Sequence, residues 1–167
     1  FAMMLNLLAE ALDDPAVPVR YLNQLEREYG FWMSGAGEDA DPGTATRRVV
    51  AVEGGFLNRY WDEADRPRQE SHAEDLQLAR ESGVEPAHLY RNIRAACESG
   101  WDFSSRWLAD ERSLATIRTT EVLPVDLNAI LLHLEATLAE TCGRVGREDD
   151  AGFYRSRAES RERLPVS

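Results

Sequence analysis

One long apolar stripe constrains how this chain can fold. Between positions 127 and 145, apolar residues recur at intervals of three or four, which is the spacing of one face of an α-helix. The stripe consists of Leu127, Ile130, Leu131, Leu134, Leu138, Cys142 and Val145. Asp126 stands immediately before it and can cap the helix. A helix with one continuous apolar side must bury that side against other elements, so we predict an all-α fold of packed helices.

Shorter helical patterns occupy much of the remaining sequence. The first is expected to bury a stripe that starts at Met4 and ends at Leu12. Ser71 and Glu74 form a capping-box pattern that predicts a helix start at about residue 72. We predict helices over about residues 2–12, from Pro18 to Trp32, over 72–82, from Pro86 to a C-terminal cap at Gly100, over 103–108 and over 148–163.

A short β-hairpin is predicted among the helices. Residues 48–52 have high β propensity and are followed by Gly54 and Gly55, so the hairpin is expected near residues 48–56. A polar loop over residues 35–46 precedes it. We expect residues 1–167 to form a single domain, with the functional residues in the loops between helices.

The composition argues against several kinds of partner. A formal net charge of −11 disfavours non-specific binding to nucleic acid or to an anionic membrane surface. No apolar run approaches the roughly 20 residues of a membrane-spanning helix, and the N-terminus has no signal-peptide pattern. The histidines and the two cysteines lack metal-ligand spacing, so we expect no metal ion and no other cofactor. Cys97 and Cys142 are expected to be buried as small apolar residues.

The stretch SGWDFSSRW at residues 99–107 contains the strongest candidate for an acid catalyst. Asp102 lies between Trp101 and Phe103, shortly after a glycine that should end a helix. Aromatic rings around a carboxylate desolvate it and raise its pKa, and a glycosidase acid needs that shift. The alternative interpretation is that Asp102 caps a short helix, and the two roles are compatible.

Arg68 and Glu70 are candidate ligand-binding residues. Both precede the predicted helix start, so we expect them in an extended segment, where residues i and i+2 share a face. There they can converge on one ligand, with the guanidinium donating hydrogen bonds to sugar hydroxyls and the carboxylate accepting them. The alternative is a solvated ion pair of little energetic weight.

Residues 58–62 (NRYWD) combine an amide, charges and aromatic rings, a mixture that suits a sugar site. Asn58 and Trp61 are the candidates for substrate contact. The alternative is a buried structural corner in which Trp61 fills the core, and we expect one or two of the five to line a pocket and the rest to support it. We interpret Arg106 as an ordinary ion-pair donor, although it could instead orient Asp102.

Four stretches closely resemble the trehalase family of glycoside hydrolases. They are LNRYWD at 57–62, RPRQES at 66–71, GWDFSSRW at 100–107 and PVDLN at 124–128. The resemblance covers most of the chain. It implies a partial (α/α)6 barrel and hydrolysis of α,α-trehalose to two glucose molecules with inversion.

The resemblance also implies roles for individual residues. Asp102 matches the general acid, and no metal ion takes part. The implied substrate-binding residues are Arg68, Glu70, Asn58, Trp61, Ser99, Gly100 and Trp101, with backbone around Ser99 and Gly100 lining the pocket.

Departures from the family pattern predict a partial enzyme. Inversion needs a second carboxylate about 6.5–9.5 Å from the acid, and no motif for that base follows Asn128. We therefore expect a fragment of a larger catalytic domain that is inactive alone. Its exposed helix surfaces would be covered either by the missing remainder of the barrel or by self-association. The alternatives are a non-catalytic sugar-binding or assembly module of the same fold and another (α/α)6 glucosidase. We expect a bacterial protein, periplasmic rather than cytoplasmic.

Overall fold

The structure, a computed structural model, describes residues 1–37 and 40–164. The predicted loop includes Glu38 and Asp39, which lie outside the described residues. The helices are α1 (Ala2–Leu12), α2 (Val17–Arg20), α3 (Leu22–Trp32), α4 (His72–Ser82), α5 (Pro86–Glu98), α6 (Val125–Arg144) and α7 (Glu148–Arg163). The strands are β1 (Ala45–Thr46), β2 (Val49–Val52) and β3 (Gly55–Asn58). Short 3-10 turns cover Ser105–Trp107, Leu114–Thr116 and Thr119–Glu121.

The chain divides into two compact units. The first unit comprises the described residues of Phe1–Asn58 and Pro124–Ser167, and the second comprises Arg59–Leu123. In the first, α6 packs against α7, α3, α1 and α2, and it buries most of the stripe that the sequence predicts. The predicted hairpin is confirmed and gains a third strand, in an antiparallel sheet of order β1-β2-β3. Val50 pairs with Leu57 and Ala51 with Phe56.

The second unit is built on α4, α5 and the three 3-10 turns. Leu89, Ile93 and Ala96 form the buried side of α5, as the spacing predicts. Trp107 is fully buried, and its ring lies edge-on to Tyr60 with 6.0 Å between ring centroids. These contacts fix the short turn at Ser105–Trp107 close to the end of α5, where the candidate acid lies.

Several local expectations were correct and others were wrong. The mostly α-helical fold with a short hairpin is confirmed, and α1 and α4 have the predicted bounds. Asp126 is not the N-cap of α6, because the helix begins one residue earlier and Pro124 takes that position. Ser71 is the N-cap of α4, but its side chain makes no capping hydrogen bond. The predicted helix from Pro18 is two helices, because the chain leaves helical geometry at Tyr21.

Helix α1 is apolar on nearly all sides, so its buried face could not be read from spacing. The structure buries Ala2 and Leu5, whereas Met4 is 69% exposed and Leu7 is 64% exposed. The predicted stripe from Met4 to Leu12 is therefore the outer face of α1 and not its core face. Among the residues that the structure describes, no helix combines the length and the apolarity needed to cross a bilayer.

A buried polar cluster pins the end of β3 in the first unit. The Asn128 side chain accepts a hydrogen bond from the Asn58 N–H at 2.8 Å and donates one to the Asn58 carbonyl oxygen at 2.9 Å. Arg161 donates to the same Asn128 Oδ1 at 2.8 Å and binds both carboxylate oxygens of Glu135 at 2.9 and 3.0 Å. The backbone N–H and carbonyl of the buried Asn58 thus both have hydrogen-bond partners, as burial demands.

Candidate functional site

Among the predicted site residues, Arg68 is fixed by an ion pair with a buried carboxylate. It lies just before α4 and is buried, and three of its donors bind one carboxylate, that of Asp75 in α4. Asp75 Oδ2 accepts from the Arg68 backbone N–H at 2.9 Å and from Nε at 3.0 Å, while Oδ1 accepts from Nη2 at 2.6 Å. These hydrogen bonds keep the pKa of Arg68 above its usual range.

The third guanidinium nitrogen of Arg68 points to the end of α5. Arg68 Nη1 lies 3.8 Å from the Sγ atom of Cys97, and the guanidinium carbon lies 4.9 Å from the centre of the Phe103 ring. Cys97 is half-buried, so the expectation of full burial holds only for Cys142. Arg68 therefore links the segment before α4 to the loop that carries Asp102.

The pKa of the Cys97 thiol depends on charged residues of the candidate site. Burial raises the pKa of Cys97, Arg68 lowers it, and the nearby carboxylates of Asp102 and Glu70 raise it. Arg68 Nη1 contacts the sulfur atom directly, and the guanidinium also lies against the ring of Phe103, the residue next to Asp102. Residues separated by more than 30 positions in the sequence thus come together in the second unit.

The loop after α5 turns sharply at two left-handed residues. Gly100 has a φ of 70°, which confirms its predicted place after the helix, and Phe103 has a φ of 53°. That conformation is uncommon for an aromatic residue and costs roughly 1–2 kcal/mol. Ser99 stabilises the turn, because its hydroxyl donates to the Ala96 carbonyl at 2.5 Å and accepts from the Trp101 N–H at 3.0 Å.

Asp102 is exposed in this structure, and its predicted burial among aromatic rings is wrong. Trp101 is itself 55% exposed, and the guanidinium carbon of Arg106 lies 4.9 Å from its ring centre. Arg106 also stacks on Trp107, so it is a stacking residue in addition to any ion pair. The interpretation of Asp102 as a helix cap is wrong too, because Ser104 is the N-cap of the following 3-10 turn.

Trp61 is held between two arginines at the start of the second unit. The guanidinium carbons of Arg59 and Arg91 lie 4.8 and 5.0 Å from its ring centre. Its backbone N–H donates to Glu98 Oε2 at 2.9 Å, which ties it to the last residue of α5. Asp62, the next residue, pairs with Arg94 of α5 at 3.1 Å. Trp61 is partly exposed, so contact with a ligand stays a prediction.

Asn58 belongs to the first unit and is fully buried there. Its side-chain amide donates to the Trp32 carbonyl oxygen at 2.8 Å, and its backbone is held by Asn128. These contacts match the supporting role that the sequence left open for this group of residues. The predicted sugar contact of Asn58 is untested.

Sequence reasoning missed Asp75 altogether and did not connect Cys97 or Phe103 with Arg68. Asp75, Cys97 and Phe103 contact Arg68 from three different segments. An aspartate in the first turn of a helix, seven residues after an arginine, was the available signal for Asp75. Arg68 and Asp75 also line a cavity of about 280 Å³ beside α4, and no other predicted site residue lines it within the described chain. Residues 1–37 and 40–164 contain no group of three potential metal ligands.

Comparison with known proteins places this geometry in context. The family model described as trehalase matches residues 1–164. A periplasmic trehalase of Xanthomonas campestris pv. campestris is 51% identical over 148 residues, which are 87% of this chain and 26% of that protein. A periplasmic trehalase of Salmonella schwarzengrund is 47% identical over 165 residues, which are 98% of this chain and 29% of that protein.

The chain thus spans little more than a quarter of the length of the curated relatives that it matches. The names of these relatives confirm the expected bacterial, periplasmic assignment. The matches include the stretches that hold Arg68, Glu70 and Asp102, since the family model covers nearly every residue. On the extent of the model match and the identity to these relatives, the chain belongs to the trehalase family.

Proposed function

We propose that this chain supplies the general-acid side of an active site that hydrolyses α,α-trehalose to two glucose molecules. Family membership supports the substrate, because the relatives are named trehalases. The observation that carries the proposal is the position of Arg68, whose Nη1 atom lies 3.8 Å from the Cys97 sulfur and whose guanidinium lies 4.9 Å from the ring of Phe103, the residue next to Asp102. A proton donor next to a hydrogen-bond donor and an acceptor is what cleavage of a glycosidic bond between polyhydroxylated rings requires.

In this proposal, each group has a defined task. Asp102 protonates the glycosidic oxygen, and Arg68 and Glu70 bind glucose hydroxyls through hydrogen bonds of opposite polarity. The exposed ring of Trp101 packs against the C–H face of one sugar, while backbone at Ser99 and Gly100 lines the pocket. Trp61 borders the same pocket, and Asn58 supports strand β3 through its buried hydrogen bonds.

The exposure of Asp102 has a consequence for how it works. A general acid works in a site from which water is excluded, and Asp102 is exposed here. We propose that the bound sugar, together with protein outside these 167 residues, excludes water from Asp102.

The proposed reaction proceeds with inversion and needs a second carboxylate that activates water. No family motif for this base was recognised after Asn128, so we propose that the 167 residues alone do not hydrolyse trehalose. Inversion at one anomeric carbon of α,α-trehalose yields one β-glucose and one α-glucose, whereas retention yields two α-glucose molecules. Proton NMR of the first products distinguishes the two outcomes before mutarotation.

The proposal is tested by Asp102→Asn in the full-length protein that contains this chain. We expect kcat for trehalose to fall at least about 100-fold, with trehalose binding retained in calorimetry. The matched control is Asp110→Asn, an exposed aspartate of the same unit whose pKa is lowered by the backbone N–H groups of Ser113 and Arg112. Its kcat should stay within about twofold of the original.

Two outcomes would favour the alternatives. Trehalose binding without any turnover by the full-length protein would indicate a sugar-binding or assembly module. Faster hydrolysis of maltose than of trehalose would indicate another glucosidase of the same fold. Unchanged turnover in Asp102→Asn would contradict the assignment of the acid.

We also propose that the outer face of α1 packs against a further part of the (α/α)6 barrel. Met4, Leu7 and Leu12 are each more than half exposed, and this much apolar surface on one helix needs a partner. Leu7→Glu should therefore lower the melting temperature of the full-length protein and reduce aggregation of the 167-residue chain. Concentration-dependent dimers of the full-length protein that Leu7→Glu dissociates would indicate self-association instead.

A further inference from the structure

We propose that Asp75 is a positioning residue for the substrate, acting by aiming the Nη1 atom of Arg68 at the sugar. The inference rests on the proposed function, because it takes Arg68 as a substrate-binding residue. Asp75 itself is 2% exposed, so it acts through Arg68 and not by touching the ligand.

The first step is that Asp75 fixes both the main chain and the side chain of Arg68. One oxygen atom, Oδ2, accepts from the backbone N–H and from Nε of Arg68 at 2.9 and 3.0 Å. The other oxygen accepts from Nη2 at 2.6 Å. An arginine that is hydrogen-bonded both at its backbone N–H and at its guanidinium group is held in one orientation. Ligand binding then costs much less side-chain rotamer entropy.

The second step concerns the donors that remain. Because Nε and Nη2 are bound to Asp75, Nη1 is the guanidinium nitrogen that points away from the Asp75 carboxylate. It meets the sulfur atom of Cys97 at 3.8 Å, and sulfur is a weak acceptor that a sugar hydroxyl can replace. The guanidinium carbon lies 4.9 Å from the centre of the Phe103 ring, and Nη1 is the nitrogen that makes no hydrogen bond to Asp75, so we take it as the donor offered to a ligand.

The third step concerns charge. An unpaired guanidinium in a site that contains a proton-donating carboxyl group would favour the ionised form of that group. The carboxylate of Asp75 neutralises Arg68 at 2.6 Å, so the pair offers N–H donors to an uncharged sugar without adding net positive charge. Asp75 lies in the first turn of α4, where the helix dipole stabilises its own negative charge.

The test uses the full-length protein with two matched substitutions. Asp75→Asn keeps the shape of the side chain but leaves one acceptor oxygen for three donors. Glu135→Gln makes the same chemical change in the Glu135–Arg161 pair of the first unit, which has similar geometry and burial. Asp75→Glu is the second variant, because it keeps the charge and displaces the guanidinium by one methylene group while preserving the ion pair.

The structural arm follows the two arginine side chains by ¹⁵N NMR. Buried and hydrogen-bonded, the Nε–H groups of Arg68 and Arg161 should exchange slowly with water. Asp75→Asn should accelerate exchange at Arg68 only, and Glu135→Gln at Arg161 only. Slow exchange of the Arg68 Nε–H in Asp75→Asn would show that Asp75 does not hold the guanidinium, which would overturn the positioning role.

The kinetic arm measures KM and kcat for trehalose. Arg68 contacts the substrate before and during the reaction, so Asp75→Asn and Asp75→Glu should raise KM about tenfold and change kcat by less than about threefold. Glu135→Gln should lower the melting temperature and leave KM within about twofold. Arg68→Lys should raise KM at least as much as Asp75→Asn, and the double variant should be no worse than Arg68→Lys.

The outcomes separate the two proposals. If Arg68→Lys raises KM but both Asp75 variants leave it unchanged, Arg68 binds substrate without Asp75, and the positioning role is overturned. If Arg68→Lys leaves KM and kcat unchanged, Arg68 does not bind substrate, which overturns the assignment of Arg68 and the inference with it. If Glu135→Gln raises KM as much as Asp75→Asn does, the effect reflects general destabilisation, and the positioning role is again overturned.

Discussion

Two buried arginine–carboxylate pairs, one in each unit, show how the same interaction can serve different ends. In the first unit, Arg161 binds both oxygens of Glu135, and the two side chains are 4% and 1% exposed. In the second, Arg68 binds both oxygens of Asp75, with exposures of 11% and 2%. The bond lengths are nearly the same, from 2.6 to 3.0 Å, so the geometry of the pairs does not distinguish them.

The surroundings of the pairs do distinguish them. The remaining guanidinium nitrogen of Arg161 donates to Asn128, which in turn holds the backbone of Asn58, so every donor supports the fold. The remaining nitrogen of Arg68 contacts the weak acceptor Cys97 at the end of α5, just before the loop that carries Asp102. The first pair closes a structural network, and the second presents a donor toward a candidate site. Each prediction below tests this difference.

The largest effect is expected for Glu135→Ala. The substitution leaves the charge of Arg161 buried with only Asn128 and the Met33 sulfur as partners, which should lower the free energy of unfolding by about 3–5 kcal/mol. Urea denaturation measures the change. Glu140→Ala is the control, because Glu140 pairs with Arg144 on the exposed surface of the same helix and should cost less than about 0.5 kcal/mol. Equal losses of unfolding free energy in the two variants would show that the buried ion pair stabilises the fold no more than the exposed one.

A smaller loss is expected for Asp75→Ala. Arg68 is less deeply buried than Arg161 and keeps its contacts with Cys97 and Phe103, so the free energy of unfolding should fall by about 2 kcal/mol. Calorimetric binding of trehalose should weaken in this variant, although it should not in Glu135→Ala. A larger loss of stability than in Glu135→Ala, with intact binding, would reverse the roles assigned to the two pairs.

The same two pairs show what sequence reasoning could find and what it could not. Helices α1 and α4 were predicted with their bounds because capping, proline and periodicity are local signals. Arg68, Glu70 and Asp102 were found through motifs, which also lie within short windows of sequence. Glu135 was missed because it lies 26 residues from Arg161 and no periodic rule links such positions, whereas Asp75 lies only seven residues after Arg68 and had a local signal.

Burial was the least predictable property. The exposure of Asp102 and of the outer face of α1 depends on which elements pack there, and neighbouring apolar residues in sequence do not determine it. In α1 the apolar residues surround the helix, so periodicity could not select the core face. Around Asp102, the neighbouring rings of Trp101 and Phe103 are themselves 55% and 37% exposed, so they do not enclose the carboxyl group.

The two cysteines extend the comparison as chemical reporters, one in each unit. Burial raises the pKa of both thiols, but Cys142 is fully buried and Cys97 is half-buried beside Arg68. Iodoacetamide should therefore modify Cys97 at least about tenfold faster than Cys142 in the native protein. Because the pKa of Cys97 is raised, the rate should keep increasing from pH 7 to pH 9 as the thiolate forms.

Peptide mass spectrometry after timed alkylation measures both rates, and denatured protein, in which the two sites should react alike, is the control. Trehalose should slow the reaction at Cys97 and leave Cys142 unaffected, since only Cys97 contacts a proposed substrate-binding residue. A rate at Cys97 that is constant above pH 7 would contradict the raised pKa. Slower alkylation of Cys142 in the presence of trehalose would indicate that the sugar binds to the first unit, which would contradict the proposed site.

The smallest effect is expected from removing the ring that covers Arg68. Phe103→Leu eliminates the cation–π contact at 4.9 Å, and such a contact contributes about 0.5–1 kcal/mol, so KM for trehalose should rise about two- to fivefold. Phe103→Tyr keeps the ring and is the control, while Phe103→Gly removes the ring and also relieves the left-handed backbone at φ 53°. If the Phe103 ring affects binding through its contact with Arg68, Phe103→Leu and Phe103→Gly should raise KM equally, even though glycine relaxes the backbone. A rise in KM for leucine that glycine abolishes would show that the strained turn, and not the stacked ring, affects binding.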